Sequence, residues 1–291
     1  MKKGFRQILA ERQKAVNSLV CVGLDPVLEK MPKRFVARHR TDAESVYYWM
    51  LSAVEETEPY TCMYKPNSAF WEALPGGAES LKDAIRYIHE EHPGVPVLLD
   101  AKRGDIARTQ EMYRQAHLSA RGQNADGITF SPYMGMDTME ALVDVDNPDS
   151  KGLVGLCYTS NPKARQVQDI LMVNGRPSWE HYADCILNWA AILKVGSSAG
   201  LVMAAAYEKR KGTGDIYAKH LVRARELVGN KLWFLIPGIG TQGGFVGETV
   251  RAAWAGYGSM AMNSSSGIIF AEDSAFAART LRDQINSAIP K

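Results

Sequence analysis

The sequence predicts an α/β protein of the (β/α)8 barrel class, and three observations lead to that fold. Eight short apolar runs recur along the 291 residues, and segments with helical periodicity separate them. The runs are apolar at nearly every position, which is typical of parallel strands buried on both faces. Eight such units can occupy a chain of this length as one domain. The alternative is an open doubly wound sheet, but no GxGxxG motif follows the first run.

The eight predicted strands are five to seven residues long and spread evenly over the chain. They lie at residues 19–24, 61–65, 95–100, 126–130, 152–158, 199–205, 232–238 and 259–263. Because helical segments alternate with them, we expect every strand to run parallel to its neighbours.

The helices between the strands carry recognisable start signals and apolar faces. Thr41 to Glu44 has the pattern of a capping box and predicts a helix that extends to about residue 56. In the segment 78–91 the apolar positions share one face: Leu81, Ala84, Ile85 and Ile88. Further helices are predicted at 105 to about 121, 218–228 and 274–289.

The connection at residues 161–198 is longer than a barrel requires. Asn174-Gly175 is typical of a turn, within a small hairpin, and a helix is predicted from about 179 to 193. We interpret 161–198 as an insertion within a single barrel domain that spans residues 1–291.

Composition excludes several classes of protein. The chain has 34 Lys and Arg against 32 Asp and Glu, a net charge of +2, so a dedicated nucleic-acid or membrane-surface protein is not expected. A membrane span needs about 20 apolar residues, far more than any run here. The amino-terminal segment has no signal-like apolar stretch, which indicates a cytoplasmic protein.

Neither the cysteines nor the histidines are spaced as in a known type of metal or nucleophilic site. The sequence has no CxxC pair, so we expect free thiols in a reducing compartment; the cysteines are Cys21, Cys62, Cys157 and Cys185. The six histidines are scattered without zinc-ligand spacing, so no metal site is predicted.

Charged residues follow the first three predicted strands. Asp25 follows the first strand, Lys65 ends the second, and Asp100 and Lys102 come at the end of the third. In this fold the carboxyl ends of the strands meet at one rim, where the active site lies. Because a strand alternates faces, Asp100 and Lys102 can point the same way into the mouth. Such alternating charges keep one another ionised and can place a proton donor beside a reacting carbon.

Two further segments extend this predicted site. Asp105 is expected near the start of the next helix, with Thr109 one turn further on the same face. The segment PGIGTQGG at 237–244 follows the seventh strand, where such barrels bind phosphate through backbone N–H groups. Gln242 can add a side-chain donor there.

The motif DAKRGDI at 100–106, followed by Thr109, resembles the signature of the orotidine 5′-phosphate decarboxylase family. The flanking segments resemble its longer bacterial-type branch: CVGLDP, YKPNSAFWE, FSPYMG, CYTSNP and PGIGTQGG. The likeness extends from about residue 19 to residue 272.

The resemblance implies cofactor-free and metal-free decarboxylation of orotidine 5′-phosphate to UMP and CO2, a step of de novo pyrimidine biosynthesis. In this family Lys102 would protonate the carbanion at C6, and Asp100 would lie against the substrate carboxylate. Lys65 and Asp105 would complete a charged network around them.

The resemblance also implies a homodimer with shared active sites. Asp105 would reach in from the neighbouring subunit, together with Ile106 and Thr109. The remaining contacts would place a ribose hydroxyl on Asp25, the pyrimidine against Thr159 or Ser160, and the phosphate on Gln242.

One position departs from the family pattern. The family has Ser-Arg-Gly-Ile or a close variant where this chain has Ser265-Ser266-Gly267-Ile268. Ser266 thus replaces a phosphate-binding Arg ahead of Gly267, and a lost charged hydrogen bond costs about 10- to 150-fold in transition-state binding. Three explanations compete: a lesion in a working enzyme, compensation by another Arg such as Arg103 or Arg108, or a different substrate.

Two other functions stay open at this point. One is a related sugar-phosphate barrel, a decarboxylase or aldol-type synthase, which would need a divalent metal. The other is a nucleotide-binding barrel that has lost turnover together with its Arg.

Overall fold

The computed structural model describes residues 3–36, 39–210, 212–239 and 245–290, and it confirms the barrel. Its eight strands are β1 Val20–Leu24, β2 Met63–Pro66, β3 Leu98–Arg103, β4 Gly127–Phe130, β5 Gly152–Tyr158, β6 Ala199–Met203, β7 Trp233–Ile236 and β8 Met260–Ser264. All neighbours pair in parallel, in the order β2-β1-β8-β7-β6-β5-β4-β3. Single bridges from Tyr64 to Val97 and from Asn67 to Asp100 join β2 to β3 and close the ring.

The longer helices surround the strands. They are α1 Phe5–Val16, α2 Asp42–Thr57, α3 Gly77–Glu91, α4 Ala107–Leu118, α5 Ser178–Ile192, α6 Lys219–Val228, α7 Val246–Ala253 and α8 Ser274–Ala288. Shorter helical segments lie at Lys33–Val36, Ser68–Glu72, Asp137–Glu140, Arg165–Gln168 and Ser266–Ile269.

The predicted helix at 105–121 is shorter at both ends than expected. It begins at Ala107, because the backbone of Ile106 is extended and serves as the N-cap. It ends at Leu118, because Ser119 returns to an extended conformation. Asp105 therefore lies one residue before the N-cap, outside the helix.

The cap of α2 forms only half of the expected reciprocal pair. The Thr41 hydroxyl accepts a hydrogen bond from the Glu44 N–H at 3.1 Å. The Glu44 carboxylate accepts from the N–H of Arg40 at 2.9 Å rather than from that of Thr41. The Thr41 side chain thus satisfies one of the unpaired N–H groups at the start of the helix, which is the usual role of an N-cap residue.

Helix α1 closes the amino-terminal end of the barrel, a role that the sequence patterns did not predict. Phe5 and Leu9 are fully buried among inward-facing strand residues, and the Phe5 ring packs on Trp233 with 5.5 Å between centroids. Gln13 donates to the Met260 carbonyl and accepts from the Gly258 N–H. With this end filled by apolar side chains, the polar opening lies at the other end.

A larger apolar layer lies between the strands and the helices. The predicted face of α3 belongs to it, since its four apolar residues are buried: Leu81, Ala84, Ile85 and Ile88. Cys21, Cys62 and Cys157 are buried and Cys185 is partly buried, and all four are free thiols.

The long connection after β5 contains both predicted features. A bridge between Leu171 and Pro177 flanks the turn, with Gly175 at a φ of +77°. Helix α5 then packs against β5 and β6, as a barrel helix does. An additional hairpin, which the sequence analysis missed, pairs Tyr207–Glu208 with Ile216–Tyr217. None of the helices in the described segments is long and apolar enough to cross a membrane.

Candidate active site

A cavity of about 630 Å³ opens at the carboxyl ends of the strands. Seven of the residues predicted for the site line it: Asp25, Lys65, Asp100, Lys102, Thr159, Ser160 and Ser266. The topology brings them together because parallel strands end at one rim. We call this space the main cavity.

Lys65 is the most deeply buried charge of the main cavity. Its side chain is 3% exposed, and its Nζ lies 3.1 Å from Asp100 Oδ2 and 4.0 Å from Asp25 Oδ1. Burial disfavours the ammonium ion, but the charges of Asp25 and Asp100 outweigh burial and raise the pKa of Lys65. Lys65 therefore stays protonated and bridges the carboxylates of Asp25, which follows β1, and Asp100, which lies in β3.

Asp100 accepts hydrogen bonds from three side chains. Lys65 donates to Oδ2, while Lys102 Nζ at 2.7 Å and Thr129 Oγ1 at 2.8 Å donate to Oδ1. Burial disfavours the carboxylate, but the ammonium groups of Lys65 and Lys102 together with these hydrogen bonds hold the pKa of Asp100 well below its usual range. Asp100 is thus a fixed anion at physiological pH.

Lys102 has a strained backbone conformation. Its φ is +48°, in the left-handed region that non-glycine residues rarely adopt, and the β3–β4 register shifts between Leu99 and Arg103. Its N–H donates to Thr129 Oγ1 at 3.0 Å. The side chain is 50% exposed and lines the main cavity. Such strain persists only where surrounding contacts compensate for it, often at functional sites.

Asp25 is fixed by two neighbouring strands. Its Oδ2 accepts from Ser265 Oγ at 2.6 Å, and its Oδ1 accepts from the Asn67 N–H at 3.1 Å. Neither Ser265 nor Thr129 was among the residues predicted for the site. For Thr129 a signal existed, because it is the one polar side chain within the run GITF of β4.

Thr159 is held by its own loop. Gln168 accepts from the Thr159 N–H at 2.9 Å and donates to its hydroxyl at 2.8 Å. Thr159 Oγ1 in turn donates to Asn161 Oδ1 at 2.7 Å. Gln168 and Asn161 also line the main cavity.

Within one chain Asp105 lies apart from the charged network. Its carboxylate accepts from the N–H of Ile106 at 2.8 Å, and among the described residues no cation lies within 4.0 Å of it. Ile106 and Thr109 are exposed beside it, outside the main cavity.

The residues expected around the phosphate are only partly described. Ser266 lines the main cavity and begins a one-turn helix, whereas Gly267 follows it without appearing in the cavity wall. Gln242 lies outside the described residues.

Neither arginine suggested as a substitute for the missing Arg reaches the cavity wall. Arg103 donates to Glu72 at 2.6 Å and to His117 at 3.1 Å, and its guanidinium stacks on Tyr113. These three partners turn it away from the rim. Arg108 is exposed and lies outside the main cavity as well.

A second cavity of about 280 Å³ adjoins the first. The two share four wall residues: Thr159, Ser160, Asn161 and Gly238. Arg165 lines the second cavity, with its guanidinium 4.7 Å from the centroid of the Tyr207 ring. Neither Arg165 nor Tyr207 was predicted from the sequence. We call this space the side cavity.

Metal-ligand types do not cluster in the described part of the chain. No three His, Cys, Asp or Glu side chains there are placed to hold a metal ion. The acids of the main cavity are instead paired with lysines.

Comparison with known proteins gives one consistent family. The model of the orotidine 5′-phosphate decarboxylase / HUMPS family matches residues 18–281. The orotidine 5′-phosphate decarboxylase of Ralstonia nicotianae is 38% identical over 97% of this chain and 98% of its own, and that of Cupriavidus necator is 35% identical over 98% and 97%.

Solved structures agree with this result. The OMP decarboxylase of Leishmania donovani superposes with a TM-score of 0.79 at 33% identity, covering 98% of this chain and 99% of its own. The Plasmodium berghei enzyme superposes with a TM-score of 0.82 over 98% of each chain; at 18% identity it supports the fold alone.

Proposed function

Since the chain belongs to the orotidine 5′-phosphate decarboxylase / HUMPS family, we propose that it decarboxylates orotidine 5′-phosphate with the cluster of Lys65, Asp100 and Lys102. The products are UMP and CO2, which makes the enzyme a carboxy-lyase. The observation that carries the assignment is the Asp100 carboxylate, held between two ammonium groups in the main cavity.

The chemistry follows from what this cluster can supply. The bond between C6 and the carboxylate breaks, CO2 leaves, and the electron pair stays on C6. Lys102 Nζ then gives C6 a proton, so the leaving group is replaced by hydrogen. A pre-placed ammonium stabilises the developing carbanion electrostatically, and it does so more strongly in a cavity with little water. Asp100 holds Lys102 Nζ in place through a hydrogen bond of 2.7 Å.

The substrate contacts are assigned by their place on the rim. Asp25, fixed by Ser265 and Asn67, accepts from a ribose hydroxyl. Thr159 and Ser160 face the pyrimidine from the β5 side. Ser266, Gly267 and Gln242 belong to the late loops, where barrels of this class bind phosphate.

The active unit is a homodimer with shared sites. Asp105 lacks a cationic partner among the described residues of its own chain, and exposed apolar side chains follow β3 and β4 in the chain. This apolar surface beside β3 and β4 consists of Ile106, Met112, Tyr133 and Met134, which are 39%, 46%, 81% and 47% exposed. A second copy that covers it would bring Asp105, Ile106 and Thr109 to the neighbouring cavity.

Two coarser assignments accompany this proposal. Residues 1–291 act as one barrel domain, with 161–198 as an insertion that includes the barrel helix α5. The enzyme works in the cytoplasm, a reducing compartment that suits its three buried free thiols.

The decisive experiment follows the ultraviolet absorbance of orotidine 5′-phosphate in excess EDTA. We expect turnover by the parent chain, loss of at least about 1000-fold in kcat for Lys102→Ala, and retained binding of UMP. Lys231→Ala, at an exposed lysine on the opposite end of the barrel, is the matched control.

The other outcomes separate the alternatives. Activity on a sugar phosphate that EDTA abolishes would identify a metal-dependent relative instead. UMP binding without turnover by the parent chain would identify a nucleotide-binding barrel. Full activity of Lys102→Ala would refute the assignment of the proton donor.

A further inference from the structure

The substrate named above carries a charge that the main cavity does not balance. A phosphate monoester bears about −1.5 to −2 charges near pH 7. Of the described residues that line the main cavity, the cations are Lys65 and Lys102, and both are paired with Asp100. With Ser at position 266, the described wall offers the phosphate no unpaired cation.

The side cavity supplies such a cation. Arg165 begins the short helix after β5, and no carboxylate among the described residues lies within 4.0 Å of its guanidinium. The neighbouring Asp169 accepts instead from the Tyr158 hydroxyl at 3.4 Å. Arg165 is therefore charged and exposed to solvent, and it has no ion-pair partner within 4.0 Å among the described residues; the charge of Asp169 lies close enough to raise its pKa.

Tyr207 orients this guanidinium. The ring lies face-on to Arg165, and Tyr207 also shares a side-chain hydrogen bond with the guanidinium, which leaves the other N–H groups for contact with an oxyanion. Tyr207 is itself fixed, because its ring packs on Tyr217 and His220 and its hydroxyl lies 3.4 Å from that of Tyr158. Contact with the Tyr207 ring thus restricts the position of the Arg165 guanidinium, which its flexible side chain alone would not.

The position of the side cavity connects Arg165 to the phosphate end of the site. Gly238, the first glycine after β7, lies in the wall that both cavities share. Ser266 and Gly238 line the same main cavity. One acid, Glu208, also lines the side cavity, but its carboxylate accepts from the N–H groups of Gly212 and Gly214 at 2.7 and 2.8 Å.

We propose that Arg165, stacked on Tyr207, binds the phosphate of the substrate from the β5 side and replaces the charge that is missing at Ser266. This inference rests on the proposed function and goes beyond it, since it moves the cationic phosphate contact from the end of β8 to the loop after β5. Arg165 thereby becomes a residue that determines specificity for the phosphorylated nucleotide.

The test compares Arg165→Ala with Arg121→Ala, which removes an exposed arginine at the opposite end of the barrel. For Arg165→Ala we expect the Kd of UMP to rise about 10- to 100-fold, with kcat/KM for orotidine 5′-phosphate falling by a similar factor through KM. The Kd of uridine, which has no phosphate, should stay within about twofold of the parent. Arg121→Ala should match the parent in all three measurements.

A double variant adds a second, independent readout. Ser266→Arg should improve UMP binding by a larger factor in the Arg165→Ala chain than in the parent, because both arginines would serve the same anion. The proposal would be overturned if Ser266→Arg improved UMP binding by the same factor in the parent chain and in the Arg165→Ala chain.

Two further results would also overturn it. UMP binding by Arg165→Ala equal to that of the parent would exclude the contact. An equal loss of uridine and UMP affinity would show that Arg165 supports the loop instead. The proposed function fails separately, since it requires turnover by the parent chain and loss of turnover in Lys102→Ala.

Discussion

At the scale of single residues, Asp100 organises the site. One carboxylate joins a buried lysine, a half-exposed lysine and a threonine, and each of the three donates a hydrogen bond to it. Breaking a buried ion pair by removing one partner leaves the other charge uncompensated, which is strongly destabilising. The position of the Lys102 side chain therefore depends on a charge balance that includes Lys65.

The low pKa of Asp100 predicts a dependence of stability on pH. Because its folded pKa lies below the unfolded value, the ionised carboxylate stabilises the folded chain above about pH 4, and this contribution is lost as the pH falls further. The difference in free energy of unfolding between the parent and Asp100→Asn should therefore shrink between pH 7 and pH 3. Urea unfolding at several pH values measures it.

Asp283→Asn, which removes an exposed carboxylate of α8, is the control for loss of a surface charge. The prediction would be contradicted if the difference in free energy of unfolding between the parent and Asp100→Asn stayed constant or grew as the pH falls.

Position 266 carries a second prediction at this scale. Ser266→Arg should lower the KM for orotidine 5′-phosphate about 10-fold or more, because a guanidinium adds a bidentate, charge-assisted contact that a hydroxyl lacks. Steady-state kinetics measure the effect, and Ser287→Arg controls for an added surface charge on α8. An unchanged kcat/KM would show that position 266 does not contact the phosphate.

At the scale of elements, the packing of β1 against the end of β8 positions Asp25. An added Cβ at Gly23 would lie 1.8 Å from Ser265 Oγ and 3.2 Å from its Cα, so the Ser265 segment would have to move. Ser265 is the residue that donates to Asp25 at 2.6 Å. The absence of a side chain at Gly23 therefore permits the contact that fixes the proposed ribose-binding carboxylate.

Gly23→Ala should lower both stability and activity. Overpacking in a well-filled core costs about 1–3 kcal/mol, and displacement of Ser265 should reduce kcat/KM. Thermal unfolding and steady-state kinetics measure the two effects. A variant with the Tm and kcat/KM of the parent would show that the strand ends adjust without disturbing Asp25.

At the scale of the whole molecule, the placement of Asp105 outside the charged network leads to a prediction about assembly. If each site takes Lys102 from one chain and Asp105 from the other, Lys102→Ala and Asp105→Ala are each inactive as homodimers. Mixing them by unfolding and refolding should restore about a quarter of the parent activity, because half of the dimers are mixed and each has one intact site.

Light scattering on the same samples gives the oligomeric state. Mixtures that stay as inactive as the single variants would contradict shared sites. Lys102→Ala mixed with Lys65→Ala is the matched control: both lysines lie in the same cavity of one chain, so each variant chain damages its own site and no gain is expected.

The apolar pattern along the chain was enough to predict the barrel and the position of most rim residues. All eight strands were predicted within a few residues, because a strand buried on both faces must be apolar along its length. The residues of the rim could be identified from chain direction alone, because parallel strands all end at the same side of the barrel. Asp25, Lys65, Asp100 and Lys102 could be placed together for that reason.

Only the tertiary structure decided the contacts between strands that are far apart in the chain. The Thr129 hydroxyl supports the strained backbone at Lys102 from the next strand, and Arg165 stacks on Tyr207 of a different element. The bond from Ser265 to Asp25 joins the end of the last strand to that of the first. The physical reason is that burial patterns are local and periodic along the chain, whereas the partner of a polar side chain is chosen by proximity that arises when the barrel closes.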